Sequence, residues 1–282
     1  MASGRDVIIA CDFDSRQVFD DFLALFDAAR PVVGDDDTRA SGEPGKPGES
    51  ATSGQPEKSG ASETLDMPEK PFLKIGMELF FTSGPDIVRS VKERGYRVFL
   101  DLKLHDIPTT VEKTMRVLGR LGADICNVHI AGGSQMMRQA AMALREAAGD
   151  GASEGSAAPL LIGVTQLTSI DQKRLENELL IERPIADVVT QYALLAKDSG
   201  LDGVVCSAQE IGTVHAACGD DFVTVTPGIR PAGAAVNDQQ RVTTPSQAKA
   251  MGGNLIVVGR PITQSKDPVA AYRQIWRDFA AA

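Results

Sequence analysis

Eight short apolar runs, each followed by a stretch of helical periodicity, constrain the fold of this chain more than any other feature. The runs fall at 7–12, 72–76, 98–102, 125–129, 160–167, 203–207, 222–226 and 255–259. The helical patterns fall at 15–29, 84–94, 109–121, 133–147, 185–199, 209–217, 245–251 and 267–279. The runs are nearly continuous rather than alternating, as expected of parallel strands covered on both faces. Eight β/α units in roughly 250 residues predict an α/β fold, a TIM (β/α)8 barrel. The rival arrangement is a doubly wound open sheet. It is disfavoured because Cys11-Asp12-Phe13-Asp14-Ser15 stands where its Gly-rich dinucleotide turn belongs.

The alternation is interrupted once on a large scale. Residues 34–64 contain no Val, Ile, Leu, Met or aromatic residue, while six Gly, three Pro, seven acids and three bases crowd the segment. A stretch so poor in apolar side chains cannot offset the entropy lost on ordering, so it is expected to be disordered. The expected organisation is one barrel domain over 1–282 with 34–64 inserted between the first helix and second strand. A second Gly/Ser/Ala-rich patch, 149–158, follows the fourth helix. In this fold catalytic groups sit at the C-terminal ends of strands and in the βα loops. Both expansions belong to αβ connections, at the opposite end.

Charge and cysteine usage narrow the functional classes. The chain has 29 Lys and Arg against 38 Asp and Glu, a net charge of −9. Proteins that grip nucleic acid by its phosphates carry a basic excess, so that class is excluded. No run approaches the ~18–20 apolar residues of a membrane helix. The N-terminal residues lack signal-peptide architecture, so a cytoplasmic protein is expected. Cys11, Cys126, Cys206 and Cys218 form no CxxC pair, and three lie in apolar runs, which favours packing over chemistry. The three histidines are too scattered for a zinc site.

The polar residues at the strand ends cluster on the catalytic side. Asp12 ends the first run, Lys74 lies in the second, Asp101 and Lys103 end the third, His129 the fourth, Thr165 and Thr168 the fifth, Ser207 the sixth. After the seventh comes Thr226-Pro227-Gly228-Ile229-Arg230, and after the eighth Gly259-Arg260-Pro261, the usual phosphate loops of a TIM barrel. Residues two apart on a strand share a face, so Asp101 and Lys103 are expected to be neighbours. Alone, such a pair reads as a structural salt bridge. With Lys74 on the adjacent strand, an alternating Lys/Asp array at the catalytic end is the better reading, because charges leaving an apolar strand are costly unless paired.

Five passages then resemble the orotidine 5′-phosphate decarboxylase family. They are Lys74-Ile75-Gly76-Met77-Glu78-Leu79-Phe80; Asp101-Leu102-Lys103-Leu104-His105-Asp106-Ile107-Pro108; Asn127-Val128-His129 with Gly132-Gly133; Thr226-Pro227-Gly228-Ile229-Arg230 with Asp238-Gln239-Gln240-Arg241; and Val257-Val258-Gly259-Arg260-Pro261-Ile262. The DxKxxD core is shared by a wider superfamily; the five in order are specific. Two positions depart from the family pattern: Thr109 stands for the usual Asn, and Asn237 for the usual Gly before Asp238-Gln239.

The resemblance implies conversion of orotidine 5′-phosphate to UMP and carbon dioxide without metal or cofactor. It implies Lys103 as the acid that protonates C6, Asp101 against the departing carboxylate, and Lys74 holding Asp101 and the ribose. Asp106 would complete a Lys-Asp-Lys-Asp array from the partner subunit of a homodimer, together with Thr110. Asp12 would bind ribose hydroxyls, Thr168 the base, Gln239 base and phosphate, Gly259 and Arg260 the phosphate. The segment from Ile229 to Val242 is the candidate closing loop.

Plainer readings hold for other residues. His129 is expected to be scaffold, His105 to face an interface or the barrel wall, Trp276 to pack the last helix, and Glu78 to lie in a loop at the site's edge. Two alternatives remain: a magnesium-dependent sibling acting on a sugar phosphate, and a non-catalytic nucleotide-binding barrel.

Overall fold

The computed structural model describes residues 5–29, 67–149, 158–231 and 243–280. Residues 34–64, the 232–242 part of the candidate closing loop with Gln239, and 150–157 of the second patch lie outside the described residues.

Eight parallel strands close into a barrel in sequence order. They are β1 (Asp6–Ala10), β2 (Phe72–Gly76), β3 (Arg97–Leu104), β4 (Ile125–His129), β5 (Leu160–Val164), β6 (Gly203–Val205), β7 (Val223–Thr226) and β8 (Leu255–Val258). β8 pairs with β1, Asp6 opposite Leu255 and Ile9 opposite Val258, which completes the expected TIM barrel. The helices are α1 (Arg16–Ala28), α2 (Met77–Ser83), α3 (Asp86–Glu93), α4 (Pro108–Arg120), α5 (Gly133–Gly149), α6 (Gln172–Asn177), α7 (Ile185–Asp198), α8 (Ile211–Cys218), α9 (Pro245–Ala250), α10 (Arg260–Thr263) and α11 (Pro268–Ala280).

Local chemistry explains the helix ends. The Ser15 hydroxyl accepts from Val18 N at the start of α1, and Thr244 and Gln247 form a capping box on α9. Pro108 opens α4 at a position where its missing N–H costs nothing. The helix expected at 84–94 is α3, and a further short helix, α2, precedes it, the two set apart by Gly84 at φ 73° and Pro85. Glu78 therefore lies in the first turn of α2, not in a loop. The apolar run at 160–167 is strand only to Val164, and α6 follows it on a short, mostly polar segment whose periodicity is too brief to read.

Two apolar layers result. Ile8, Phe72, Phe99, Ile125, Ile162 and Val225 are among the residues that fill the barrel interior. The alternate residues, such as Ile9, Leu73, Val98 and Val128, pack outward against the helices. At the N-terminal end Trp276 of α11 is buried and donates from Nε1 to Asp6 Oδ1 at 3.1 Å, and Arg97 pairs with the same carboxylate. Trp276 thus fastens the last helix to the barrel floor. All four cysteines are buried and unpaired, and burial pushes the thiols of Cys11, Cys126 and Cys206 up, so they stay protonated.

Candidate active site

The site is built by extending the barrel's inward-facing rows by one step. On β2 the inward residue after Phe72 is Lys74, on β3 the residue after Phe99 is Asp101, and on β4 the residue after Ile125 is Asn127. Register sets Lys74 opposite both Ala10 and Phe99. Three polar side chains therefore rise from an apolar floor on adjacent strands.

They are interlocked. Lys103 Nζ donates to Asp101 Oδ1 at 2.7 Å, and Lys74 Nζ lies 3.4 Å from Asp101 Oδ2 and 2.8 Å from Asp12 Oδ1. Asn127 Nδ2 donates to Asp101 Oδ1 at 2.7 Å, while Asn127 Oδ1 accepts from Lys103 N at 2.8 Å. Gly76 gives the Asp12–Lys74 pair its room: a Cβ there would stand 3.1 Å from both Asp12 Oδ1 and Lys74 Nζ.

Burial alone would push the Asp101 carboxyl up. The ammonium groups of Lys74 and Lys103 and the bonds from Lys103 and Asn127 outweigh it and hold Asp101 below the usual carboxylate range. Burial alone would likewise lower Lys74, but Asp101 and Asp12 raise it above an ordinary lysine. Both groups are therefore fixed in their charged forms.

Asp101 and Lys103 are neighbours as expected, but not through regular strand geometry. Register breaks between Leu100 and Leu104, and Lys103 sits at φ 51°. For a side chain with a Cβ that left-handed conformation costs about 1–2 kcal/mol, and such residues concentrate at functional sites.

Lys74, Asp101 and Lys103 form one side of a cavity whose other walls include Phe99, Val205, Val225 and Val257. Thr168 lines it too, and through Gln166, Leu167, Thr168 and Pro227 it adjoins a second cavity that reaches Gly228. Gly259 and Arg260 stand at the same end of the barrel, at the junction of β8 and α10, and line neither cavity. Gly259 lies tight against β1, where a Cβ would meet that of Ala10 at 3.4 Å.

Asp106 and Thr110 do not join the cluster within one chain. Both are exposed, and Asp106 Oδ1 accepts from its own neighbour Ile107 N at 2.6 Å. His129 ends β4 half-buried with its ring 5.6 Å from that of exposed His105. Burial, then His105 and Lys103, hold its imidazole below the usual value, so it is neutral at physiological pH. The residue that sequence reasoning passed over is Asn127: a lone amide at the inward phase of an apolar strand was its available signal.

Chemically, the arrangement presents an ammonium at the edge of a largely apolar cavity, bonded to a buried carboxylate. Such a group stabilises a developing negative charge and can then supply a proton to it.

Comparison with known proteins places the chain in a family. A family model described as the orotidine 5′-phosphate decarboxylase / HUMPS family matches residues 64–275. An orotidine 5′-phosphate decarboxylase of Streptococcus thermophilus is 53% identical over 210 residues, 73% of this chain and 86% of that protein. One from Shouchella clausii is 54% identical over 210 residues, 74% of this chain and 86% of that protein. The crystal structure of an orotidine 5′-phosphate decarboxylase from Lactobacillus acidophilus superposes with a TM-score of 0.73 at 36% identity, covering 98% of this chain and all of that one.

Proposed function

The chain belongs to the orotidine 5′-phosphate decarboxylase / HUMPS family, and from that premise we infer that it is a carboxy-lyase converting orotidine 5′-phosphate to UMP and carbon dioxide, with Lys103 as its acid. The observation that carries the assignment of roles is the interlocked Lys74–Asp101–Lys103 cluster on the wall of an apolar cavity.

The C6–carboxylate bond breaks, carbon dioxide leaves, and the electron pair stays on C6, where no ring π-system can accept it. The Lys103 ammonium stabilises that pair and then transfers its proton to C6; solvent reprotonates the amine. Asp101 faces the departing carboxylate, and Lys74 holds Asp101 and, with Asp12, the ribose. Thr168 contacts the base, Gln239 bridges base and phosphate, and Gly259 with Arg260 receives the phosphate. Arginine's planar fork suits phosphate oxygens, and glycine lets the backbone come close. Binding energy from that remote phosphate positions the ring over the cluster. The reaction uses no metal or cofactor.

Asp106 and Thr110 reach the site of the other subunit in a homodimer. Support comes from their exposure and from bare apolar residues that follow the same strands: Ile107, next to Asp106, is 67% exposed, and Phe81, in α2 after the neighbouring strand β2, is 75% exposed. The whole chain forms one barrel domain, with 34–64 as an insertion on its structural side. Among the described residues no helix is long and apolar enough to cross a membrane, and the acidic charge speaks against nucleic-acid partners. We place the enzyme in the cytoplasm.

The test follows the loss of orotidine 5′-phosphate absorbance by the purified protein with a metal chelator present, beside Lys103→Ala. Turnover by wild type and its loss in the variant are expected. Magnesium-dependent turnover of a sugar phosphate without this activity would instead identify a superfamily sibling. UMP binding without turnover would identify a non-catalytic barrel.

A further inference from the structure

We propose that Asn127 is the positioning residue that aims Lys103 at the substrate, gripping the lysine's backbone with one end of its amide and the Asp101 carboxylate with the other. The proposal rests on the reading of Lys103 as the proton donor.

Three observations support it. Asn127 is 1% exposed, at the inward phase of β4, where Ile125 and the surrounding barrel residues are apolar. An amide in that setting is retained only at a cost unless both its ends are bonded, and both are: Oδ1 to Lys103 N at 2.8 Å and Nδ2 to Asp101 Oδ1 at 2.7 Å. The amide's orientation follows from its partners, because the backbone N–H needs an acceptor and the carboxylate needs a donor.

The second observation is where the bond to Lys103 falls. β3 loses register with β4 between Leu100 and Leu104, and the Lys103 backbone lies at φ 51°. At this point the N–H of Lys103 is satisfied by a side chain of the adjoining strand. Strained backbone persists only where its surroundings over-determine it. The Asn127 carbonyl is one such constraint, applied to the residue whose side chain must be aimed.

The third is that the same carboxylate oxygen, Asp101 Oδ1, accepts from both Lys103 Nζ and Asn127 Nδ2. One amide thus fixes the start of the lysine side chain through its backbone and the end of it through Asp101. An aliphatic residue here would leave a buried N–H and a carboxylate oxygen each short of a partner. An aspartate would keep the acceptor, lose the donor and set a second carboxylate against Asp101. The charged or titratable groups facing Asp101 are Lys74 from β2, Lys103 on β3 and, further along β4, His129. The bond from Asn127 is one of the contributions holding Asp101 ionised.

The experiment compares wild type, Asn127→Ala and Asn127→Asp for kcat and KM on orotidine 5′-phosphate across pH, for UMP binding, and for fold by circular dichroism. Displacement of a reacting group by about 1 Å is expected to lower kcat on the order of 10²-fold in both variants, with KM and UMP binding changed only a few-fold. Asn127→Asp preserves volume and carries the test if the alanine variant does not fold. Its kcat is expected to recover in part on acidification, as the new carboxyl gains a proton to donate. Wild-type kcat and pH profile in the aspartate variant, or a loss confined to KM, would overturn the positioning role while leaving the decarboxylase reading intact. Absence of turnover by wild type would instead overturn that reading and the inference with it.

Discussion

The wall of the barrel formed by β2, β3 and β4 differs in kind from the wall formed by β5 to β8. On the first, Lys74, Asp101, Lys103 and Asn127 are bonded to one another before any substrate arrives. On the second, Val205, Val225 and Val257 offer apolar surface, with Thr168 on the loop beyond β5 and Gly259 and Arg260 beyond β8. The difference separates two tasks. In the proposed function, charge that stabilises a transition state is preorganised at the expense of strain at Lys103. Surfaces that must admit and release a nucleotide are left concave, with their polar groups at the rim.

If that division is right, substitutions on the two walls move different kinetic constants. On the proposed reading Lys103→Ala removes both the proton donor and the charge that stabilises the carbanion, so kcat is expected to fall by at least about 10⁴-fold. UMP, which lacks the carboxylate, should still bind, and calorimetry would check that. A comparable loss of UMP affinity would mean that the preformed wall also does the binding. With Arg260 as the proposed phosphate ligand, Arg260→Ala is expected to act mainly on KM, raising it roughly 10- to 100-fold for the loss of a charged hydrogen bond. The effect should vanish with the nucleoside orotidine as substrate. A kcat loss that persists on orotidine would break the comparison.

The two walls also differed in how far the sequence revealed them. Lys74, Asp101 and Lys103 are legible because charges in or beside apolar strand runs are conspicuous. The register break around Lys103 is not, since it shows only in how β3 pairs with β4. Asn127 stands within one of the five passages, yet a neutral amide in a strand announces nothing until its two partners are seen. Of the binding wall, the Gly-Arg turn after β8 stood out and the aliphatic lining did not: Val205, Val225 and Val257 look like any other core residues. The barrel itself was plain from eight β/α repeats, whereas α2 and α6 are too short to show a period.

The pH response of stability sharpens the contrast more gently. Asp101 is held below its ordinary value, so its contribution is full above the unfolded pKa, about 4, and is lost as pH falls through the lower folded value. Lys74 is held above its ordinary value, so its contribution is full below about pH 10.4 and is lost as pH rises through the higher folded value. Urea midpoints of wild type and Asp101→Asn should therefore differ by a constant amount between these limits. The difference should shrink only on acidification below about pH 4, as the wild-type carboxylate gains its proton. A gap that already closes near pH 6 would show that Asp101 is not held ionised by its lysines.

The smallest effect is expected furthest from either wall. The described ends that flank residues 34–64 are Ala29, after α1, and Met67, ahead of β2, and both line a groove with Tyr272 and Phe26. Tyr272 lies near Asp6 and Arg97 at the barrel floor, whereas Lys74 and Lys103 rise toward the opposite, C-terminal end of the strands. Deleting 34–64 is therefore expected to leave kcat/KM within a few-fold and the KM–kcat division between the two walls unchanged, as steady-state kinetics would check. The barrel closes through β1 pairing directly with β2 and β8, so shortening the α1–β2 connection removes no strand contact. By loop-closure entropy it changes stability by only about 1 kcal/mol. A large loss of kcat alone would tie the segment to the preformed wall, and a large rise in KM to the binding wall; either outcome would contradict its assignment to the structural end.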